Sequence, residues 1–385
     1  MTDNWREGGF GLYIHWPFCA AKCPYCDFNS HVSSQIDMAD WQAAYLAELE
    51  RYARETPNRV LSSVYFGGGT PSLMDPAVVG AVLDAVAGHW TPANDIEITL
   101  EANPSSVEAE RFAGYAAAGV NRVSMGFQAL NDRDLKALGR LHDVETALAA
   151  LDVARSTFDR INFDLIYGRQ DQSLEGWTAE LERAVGFEPD HLSLYQLTIE
   201  DGTAFGDRFA RGKLRGLPDE KLSADMYFAT QDICEDAGLW AYEVSNHAKP
   251  GQESRHNLIY WSAGDYIGIG PGAHGRLSLG GRRWATWTEL SPSEWLDQAL
   301  KHNGEAGREA LSRADQAGEY LMMGLRITRG LDLDRYEAIS GVPLDEMVLQ
   351  DLVKNGYLNL NNRYLAPTRA GRAVLNAVIR ELLPS

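Results

Sequence analysis

The chain has 385 residues, of which 54 are acidic and 35 are basic, so its formal net charge is −19. This charge argues against a surface that binds nucleic-acid phosphates. Hydrophobic residues make up 45% of the chain, which is typical of a globular protein. We expect no transmembrane helix, because no apolar run of about 18 residues is present, and no signal peptide, because the N-terminus has no basic-then-apolar pattern.

Strand-like and helix-like segments alternate through the first two thirds of the chain. The predicted strands are 11–15, 63–66, 96–100, 122–126, 161–167 and 191–199. The predicted helices of this region are 37–53, 75–87, 106–119, 174–185 and 219–237, with further helical stretches that begin at Asp132 and Val144. Repeated strand–helix units require parallel pairing with right-handed crossovers. The pattern alone allows either a doubly wound open sheet or a barrel-like sheet.

The remaining third has a different pattern. Residues 241–290 are rich in Gly, His, Trp and Tyr and have no clean periodicity, and from about residue 291 the pattern is mainly helical. Predicted helices at 315–326, 344–354 and 368–383, with a hairpin at 357–364, resemble a small winged-helix domain. We therefore predict an α/β domain at 1–240, a connecting segment at 241–290 and a helical, winged-helix-like domain at 291–385. The second helix of that domain is acidic, which argues against DNA binding.

Three of the four cysteines form a C-x3-C-x2-C cluster just after the first predicted strand. Cys19, Cys23 and Cys26 can ligate three irons of a [4Fe–4S] cube and leave the fourth iron open for a non-protein ligand. Because Cys234 stands alone, the cysteines do not form a disulfide framework. Their pattern indicates a reducing compartment, so we expect a cytoplasmic protein.

Three other interpretations of the cysteine cluster stay open on these residues alone. Cys23 and Cys26 match a thioredoxin-type dithiol. Alternatively, the three cysteines can form a structural zinc site together with His15 or His31. The last interpretation is a chance cluster of buried cysteines, which is disfavoured because the chain has four cysteines in all. The iron–sulfur interpretation is the one we favour.

Longer strings around the cysteine cluster resemble a known family. The cluster followed by GGGTPS at 67–72 resembles the radical S-adenosylmethionine (radical SAM) enzymes. The strings YIHWPFC, VYFGGGTPS, ITLEANP, GVNRVSMGFQ and INFDLIYG resemble one branch of them, the oxygen-independent coproporphyrinogen III oxidases and their haem-chaperone (HemW) relatives. The resemblance covers essentially the whole chain. It implies an α/β fold: an open partial (β/α)6 TIM barrel of the radical SAM type with a C-terminal winged-helix-like domain.

The resemblance also implies the cofactors and their residues. A [4Fe–4S] cluster would be held by the three clustered cysteines, with S-adenosyl-L-methionine (SAM) at the open iron and a separate electron donor. The positions that match the family's SAM contacts are Tyr13, Tyr25, Gly68, Gly69, Thr70, Glu101, Gln128, Arg140 and Asp164. Glycines allow a close backbone approach, carboxylates accept from ammonium and hydroxyl groups, and the arginine fork suits a carboxylate. The implied chemistry is reductive cleavage of SAM.

A haem site is implied by a second string, HNLIYW, which resembles the haem-binding motif of the HemW branch. An imidazole can ligate haem iron, and aromatic rings can pack on a porphyrin. The haem-binding candidates in this string are His256, Asn257, Tyr260 and Trp261. The competing interpretation is a structural histidine in an aromatic loop. Alternative histidines are His247 and His274, and candidate partners of the haem propionates are Arg276, Arg282 and Arg283.

Phe28 bears on the choice between oxidase and chaperone. It stands where the oxidases have a fourth cysteine, and this favours the chaperone branch. We therefore expect a haem chaperone that binds haem and transfers it to acceptor proteins, while it carries a SAM-binding cluster. The alternative is an oxygen-independent coproporphyrinogen III oxidase. The expected partners are haem or porphyrin, haem-accepting proteins and an electron donor, and no nucleic acid.

Overall fold

The strands and helices are taken from a computed structural model, which describes residues 4–33 and 35–383. The strands in chain order are β1 (Phe10–Trp16), β2 (Phe18–Cys19), β3 (His31–Val32), β4 (Val60–Gly68), β5 (Thr91–Ala102), β6 (Arg122–Gln128), β7 (Arg160–Tyr167), β8 (His191–Gln196), β9 (Trp240–Ala241), β10 (Asn246–Ala248), β11 (Asp265–Ile269), β12 (His274–Leu279), β13 (Arg282–Thr288), β14 (Glu305–Ala310), β15 (Leu331–Asp332), β16 (Leu358–Asn361) and β17 (Tyr364–Pro367).

The helices follow the strands closely in the first part of the chain and dominate the last part. They are α1 (Asn4–Gly8), α2 (Met38–Glu55), α3 (Pro76–His89), α4 (Ser106–Ala109), α5 (Phe112–Ala118), α6 (Asp132–Ala137), α7 (Val144–Thr157), α8 (Leu174–Val185), α9 (Ala204–Ala210), α10 (Glu220–Asp236), α11 (Arg255–Trp261), α12 (Pro292–Ala299), α13 (Arg313–Gly324), α14 (Leu333–Ser340), α15 (Glu346–Lys354), α16 (Arg369–Ala373) and α17 (Leu375–Leu382). None of the described helices is long and apolar enough to cross a bilayer.

Six parallel strands form the centre of the described structure and lie side by side in chain order, as β1-β4-β5-β6-β7-β8. Every crossover advances the sheet in the same direction. Because such crossovers are right-handed, the connecting helices lie on one face of the sheet. The sheet therefore curls around its other face, and the predicted open partial (β/α)6 barrel is confirmed, whereas a doubly wound sheet would carry helices on both faces.

The main hydrophobic core lies between these strands and their helices. On β4, Val64 and Phe66 are buried in this core. Ser63 and Tyr65, which alternate with these two residues along the strand, point to the opposite face, because successive side chains of a strand alternate. The other barrel strands repeat the pattern, so that the inside of the barrel is lined by polar side chains. These include Glu97, Thr99, Glu101, Arg122, Ser124, Asn162, Asp164, His191 and Ser193.

The sheet continues beyond the barrel at both edges. β11 pairs in parallel with β1, and β12, β13 and β14 follow as antiparallel strands. At the other edge β10 and β9 pair antiparallel to β8. The described residues thus form a twelve-stranded sheet. The sequence did not reveal the added strands, because β9 and β10 are two or three residues long, β11, β12 and β14 contain glycine, and β13 lies in a segment without clean periodicity.

The two bodies of the molecule meet at a different place from the predicted boundaries at 240/241 and 290/291. Helix α12 packs on α2, where Trp295 stacks on Trp41 with ring centroids 5.4 Å apart. Strand β14 belongs to the main sheet. The first body therefore extends to about residue 310, because Ile267, Leu277 and other apolar side chains of segment 265–299 are buried in the same core as the barrel. Ala263 is buried in the core of the second body.

A second, smaller core holds the C-terminal body together. It is formed by α13 to α17 and the three-stranded sheet β15-β17-β16. The hairpin between β16 and β17 turns at Asn362, whose φ is 54°, a conformation that asparagine tolerates better than most residues. Helix α14 was not predicted, and the predicted final helix is interrupted at Val374 between α16 and α17.

Candidate functional site

A cavity of about 790 Å³ opens at the carboxyl-terminal end of the barrel strands, a size typical of sites for small ligands. All three clustered cysteines line this cavity. So do eight of the nine positions predicted to contact SAM, namely Tyr25, Gly68, Gly69, Thr70, Glu101, Gln128, Arg140 and Asp164. These residues come from different strands and loops, and parallel pairing brings them to one edge of the sheet.

The cysteine loop connects the short strands β2 and β3, which pair in parallel with each other and form a small sheet of their own. Each of its sulfur atoms has a hydrogen-bonding neighbour in the cavity wall. The Thr70 hydroxyl donates to Cys19 Sγ at 3.4 Å, Arg140 donates to Cys23 Sγ at 3.4 Å, and the Ser30 hydroxyl lies 3.8 Å from Cys26 Sγ. Such donors stabilise anionic sulfur, which is the form that ligates metal.

Burial raises the pKa of the Cys19 and Cys26 thiols, and the neighbouring cysteines raise it further, against the lowering effect of the hydrogen bonds. These thiols therefore keep their protons in the bare protein. An iron–sulfur cluster would displace those protons, because a bound metal deprotonates its thiol ligands. Three half-buried thiols in one cavity wall are a donor set suited to a [4Fe–4S] cluster with one open iron.

The histidines of the zinc interpretation are engaged elsewhere. The Nδ1 atom of His15 lies 3.0 Å from the Tyr13 hydroxyl, and its Nε2 atom lies 2.9 Å from the backbone oxygen of Asn29. His31 Nε2 lies 3.0 Å from the side-chain oxygen of Asn29. In the part of the chain that the structure describes, no three His, Cys, Asp or Glu side chains are grouped closely enough to bind a single metal ion.

The glycine run after β4 lies directly against the cysteine loop. Gly69 N donates to the Trp16 carbonyl at 2.7 Å, and a Cβ at Gly69 would lie 2.8 Å from the Phe18 carbonyl oxygen. Gly68 has a φ of 113°, and a Cβ there would collide with the His15 ring. No side chain fits at either position, so glycine is required for this part of the cavity wall.

Two buried carboxyl groups, Glu101 and Asp164, line the cavity. Burial and, to a smaller extent, the charge of Asp164 raise the pKa of Glu101 to about 7, against the lowering effect of hydrogen bonds from Tyr65 and Gly68. Burial likewise raises the pKa of Asp164 to about 6, against hydrogen bonds from Ser193 and Asn162. A ligand that brings positive charge would favour the ionised form of both groups.

Arg140 connects the cysteine loop to the strand ends. Its two terminal nitrogens donate to Cys23 Sγ, to the Asn103 side-chain oxygen and to the Gly126 carbonyl. Its Nε is buried without a hydrogen-bond partner. An unpartnered buried donor is costly, so a ligand that supplies an acceptor at this point would be stabilised. Gln128 has a φ of 71°, a strained conformation of the kind that is often found at functional sites.

The two predicted tyrosines differ in position. Tyr25 lies in the cavity wall and packs against Phe205, with ring centroids 6.4 Å apart. Tyr13 lies deeper in the barrel, where its ring stacks on Tyr65 with centroids 6.3 Å apart. The structure therefore does not bring Tyr13 to the cavity wall.

Several cavity residues were missed by sequence reasoning. Asn103, Ser124, His142, Tyr195 and Ser245 all line the cavity. Polar residues at every second position of the barrel strands were the signal that could have identified Ser124 and Tyr195. Asn103 follows Glu101 by two residues in the quoted string ITLEANP. His142 and Ser245 lie in loops and gave no such signal.

The HNLIYW string forms helix α11, which contacts β1 and β4 on one side and α13 on the other. His256 is 1% exposed and does not line the cavity. Its Nδ1 lies 2.8 Å from the Ser63 hydroxyl, and its Nε2 lies 2.6 Å from the Tyr260 hydroxyl. Burial lowers the pKa of His256 to about 3, so the ring is neutral. In this conformation no nitrogen of His256 is available to haem iron, which corresponds to the competing structural interpretation.

Most of the other haem-binding candidates make ring contacts, hydrogen bonds or ion pairs within the protein. Tyr260 packs edge-on against Tyr266, and Trp261 lies near Tyr242. Asn257 is half-buried. Among the alternatives, His247 is buried with Nε2 3.0 Å from the Gln231 side chain, and His274 is exposed on β12. Arg276 pairs with Glu319 and Arg283 with Asp265, whereas Arg282 is exposed.

Comparison with known proteins agrees with this arrangement. Residues 13–181 match the radical SAM superfamily, and residues 311–374 match the HemN C-terminal domain. The haem chaperone HemW of Escherichia coli K12 is 37% identical, over 97% of this chain and 97% of its own. This chain belongs to the HemW branch of the radical SAM superfamily.

Further relatives extend the same picture. The mitochondrial radical S-adenosyl methionine domain-containing protein 1 of Mus musculus is 39% identical, over 97% of this chain and 87% of its own. Among solved structures, the coproporphyrinogen III oxidase HemN of Escherichia coli matches 97% of this chain and 90% of its own, with a TM-score of 0.81 and 23% identity. The match to HemN shows the shared fold. The HemN C-terminal match begins at the second body and not at residue 291.

The two buried carboxyl groups predict that the free energy of unfolding falls as the pH rises. Because the folded protein holds protons on Glu101 and Asp164 that the unfolded chain releases near pH 4, their ionisation lowers the free energy of unfolding as the pH rises from about 4 to about 7. Glu101→Gln should flatten this decline in urea unfolding series of the ligand-free protein. Glu294→Gln, at an exposed position, controls for the loss of one carboxylate. A decline equally steep in Glu101→Gln and in the wild type would contradict the account.

Proposed function

We propose that this protein is a haem chaperone, which binds haem, transfers it to acceptor proteins and carries a [4Fe–4S] cluster and SAM in the barrel cavity. The observation that carries the proposal is the full-length similarity to proteins named haem chaperone HemW, at 37% and 38% identity. Phe28, in place of the fourth cysteine of the oxidases, supports the chaperone over the oxidase. A cytoplasmic location stays a prediction, since animal relatives are named mitochondrial.

The cavity residues support the proposed cofactors by their chemistry. The thiols of Cys19, Cys23 and Cys26 would hold the cluster, and each has a polar neighbour that stabilises anionic sulfur. When bound, the cluster and SAM supply one-electron chemistry at the sulfonium. Tyr25 forms part of the wall beside the cysteines, where its ring packs against Phe205.

The remaining polar residues would bind and orient SAM. Glu101 and Asp164 offer carboxylates to its ammonium, sulfonium or ribose hydroxyl groups, and their ionisation couples to the arrival of that positive charge. The guanidinium of Arg140, which lines the cavity, offers positive charge to the carboxylate of the methionine moiety. Gly68 and Gly69 line the cavity with backbone atoms alone, since glycine has no side chain.

The haem site requires a change of conformation if the motif residue His256 is the ligand. The C-terminal body holds helix α11 in place: Arg335 of α14 donates to the Ser262 carbonyl at 2.6 Å and to the Ala263 carbonyl at 3.1 Å. Arg335 also pairs with Glu7 at 2.8 Å. We propose that haem reaches His256 after the end of α11 has been released from these contacts.

The choice between chaperone and oxidase is tested by two assays run in parallel on anaerobically reconstituted protein. We expect haem binding in a spectroscopic titration and no conversion of coproporphyrinogen III in the presence of SAM and reductant. Cys19→Ser should lose the cluster, measured as iron and sulfide per chain, while Cys234→Ser, at a buried position away from the cavity, should retain it. Formation of protoporphyrinogen would establish the oxidase instead.

Release of α11 is tested by the rate of haem association. Arg335→Ala should raise that rate roughly thirtyfold in stopped-flow measurements, because the two lost hydrogen bonds, at about 1 kcal/mol each, lower the cost of moving the helix by about 2 kcal/mol. Arg363→Ala is the matched control, since Arg363 pairs with Asp332 and Asp334 inside its own body. An Arg335→Ala rate equal to that of the wild type would exclude this route to His256.

A further inference from the structure

Tyr65 holds the cavity carboxylate of Glu101 from inside the barrel. Its hydroxyl donates to Glu101 Oε1 at 2.8 Å, while Gly68 N donates to Oε2 at 3.2 Å. Both carboxylate oxygens are thus fixed by donors from β4. Tyr65 itself does not line the cavity, and the sequence did not identify it as a site residue.

The ring of Tyr65 packs against two other rings, His256 and Tyr13, whose centroids lie 6.3 Å from each other. It stacks on His256 with centroids 4.9 Å apart and an interplanar angle of 23°, and on Tyr13 with centroids 6.3 Å apart at 27°. His256 is in turn fixed by hydrogen bonds to Ser63 and Tyr260. A ring held in this way has little freedom to rotate, so its hydroxyl presents one direction to the carboxylate.

We propose that Tyr65 is a positioning residue for SAM, which aims the Glu101 carboxylate into the cavity and favours its charged form there. This inference rests on the proposed binding of SAM in the cavity. In this proposal the stacked rings of Tyr65 and His256 support a carboxylate that lies in the cavity wall, in addition to packing in the interior.

The electrostatic surroundings of Glu101 make this support consequential. The titratable groups around its carboxyl are Tyr65 of β4, Asp164 of β7, Tyr13 of β1 and Tyr260 of α11. Burial and the Asp164 charge favour the protonated acid, and the Tyr65 hydrogen bond favours the carboxylate. Loss of the hydroxyl therefore raises the pKa of Glu101 and leaves less negative charge for a cationic ligand near neutral pH.

The test compares two tyrosine-to-phenylalanine variants of the reconstituted full-length protein. Tyr65→Phe keeps the stacked ring and removes only the hydroxyl. Tyr52→Phe removes a buried hydroxyl that donates to Glu305 at 3.0 Å, away from the cavity. Glu101 is titrated by infrared spectroscopy, with Glu101→Gln used to identify its carboxyl band, and SAM affinity is measured by calorimetry across pH.

In Tyr65→Phe we expect a higher titration midpoint for Glu101 and a SAM affinity weakened roughly tenfold at pH 7, a difference that shrinks at higher pH. Tyr52→Phe should match the wild type in both. An unchanged Glu101 midpoint in Tyr65→Phe overturns the positioning role. A shifted midpoint with unchanged SAM affinity overturns its link to SAM. If the wild type binds no SAM while the midpoint shifts, the proposed cofactor site fails and the Tyr65–Glu101 coupling stands.

Discussion

The site depends on one constraint, the side-by-side parallel pairing of six strands in chain order. This pairing sends all the crossover helices to one face, so apolar side chains are needed on that face only. The opposite face is free to carry polar groups, and it curls into the inside of the barrel. Residues that are far apart in the chain, such as Cys19 and Asp164, then meet at the carboxyl-terminal edge.

The polar inside of the barrel gives the cavity its electrostatic character. Carboxyl groups such as Glu101 and Asp164 are buried close to each other, which favours their protonated forms until a cation arrives. The cysteine sulfurs lie against hydroxyl and guanidinium donors of the same wall. Binding of a cationic ligand and of a metal cluster are therefore both coupled to proton release.

Much of this was predictable from the sequence, because the barrel strands are long and each is followed by a helix. The cysteine spacing and the family resemblance identified the three cysteines and eight further residues of the cavity wall. Strands β11, β12 and β14 were missed, since glycine interrupts their pattern, and β13 was missed because it lies in a segment without clean periodicity. The packing of Trp295 on Trp41 was not foreseen, because the two residues are 254 positions apart in the chain. Tyr65 was missed because its role depends on a neighbour on the next strand.

In the HNLIYW helix, the function that the sequence motif predicts differs from the role that its residues have in the structure. The string resembles a haem-binding motif, yet His256 is buried and both of its ring nitrogens are in hydrogen bonds, with Ser63 and Tyr260. The same histidine supports Tyr65, and through it Glu101, in the cavity. Release of α11 for haem would thus also remove a support of the cavity carboxylate, which connects the two proposed sites.

The most direct measurement is the electron paramagnetic resonance spectrum of the reconstituted, reduced protein with and without SAM. We expect a [4Fe–4S] signal that changes shape when SAM is added, because three cysteines leave one iron open to a ligand in the cavity. The signal itself should be absent in the Cys19→Ser variant, which is expected to lose the cluster. A cluster signal that SAM leaves unaltered, or a reconstituted protein that binds zinc in place of iron, would contradict the central claim.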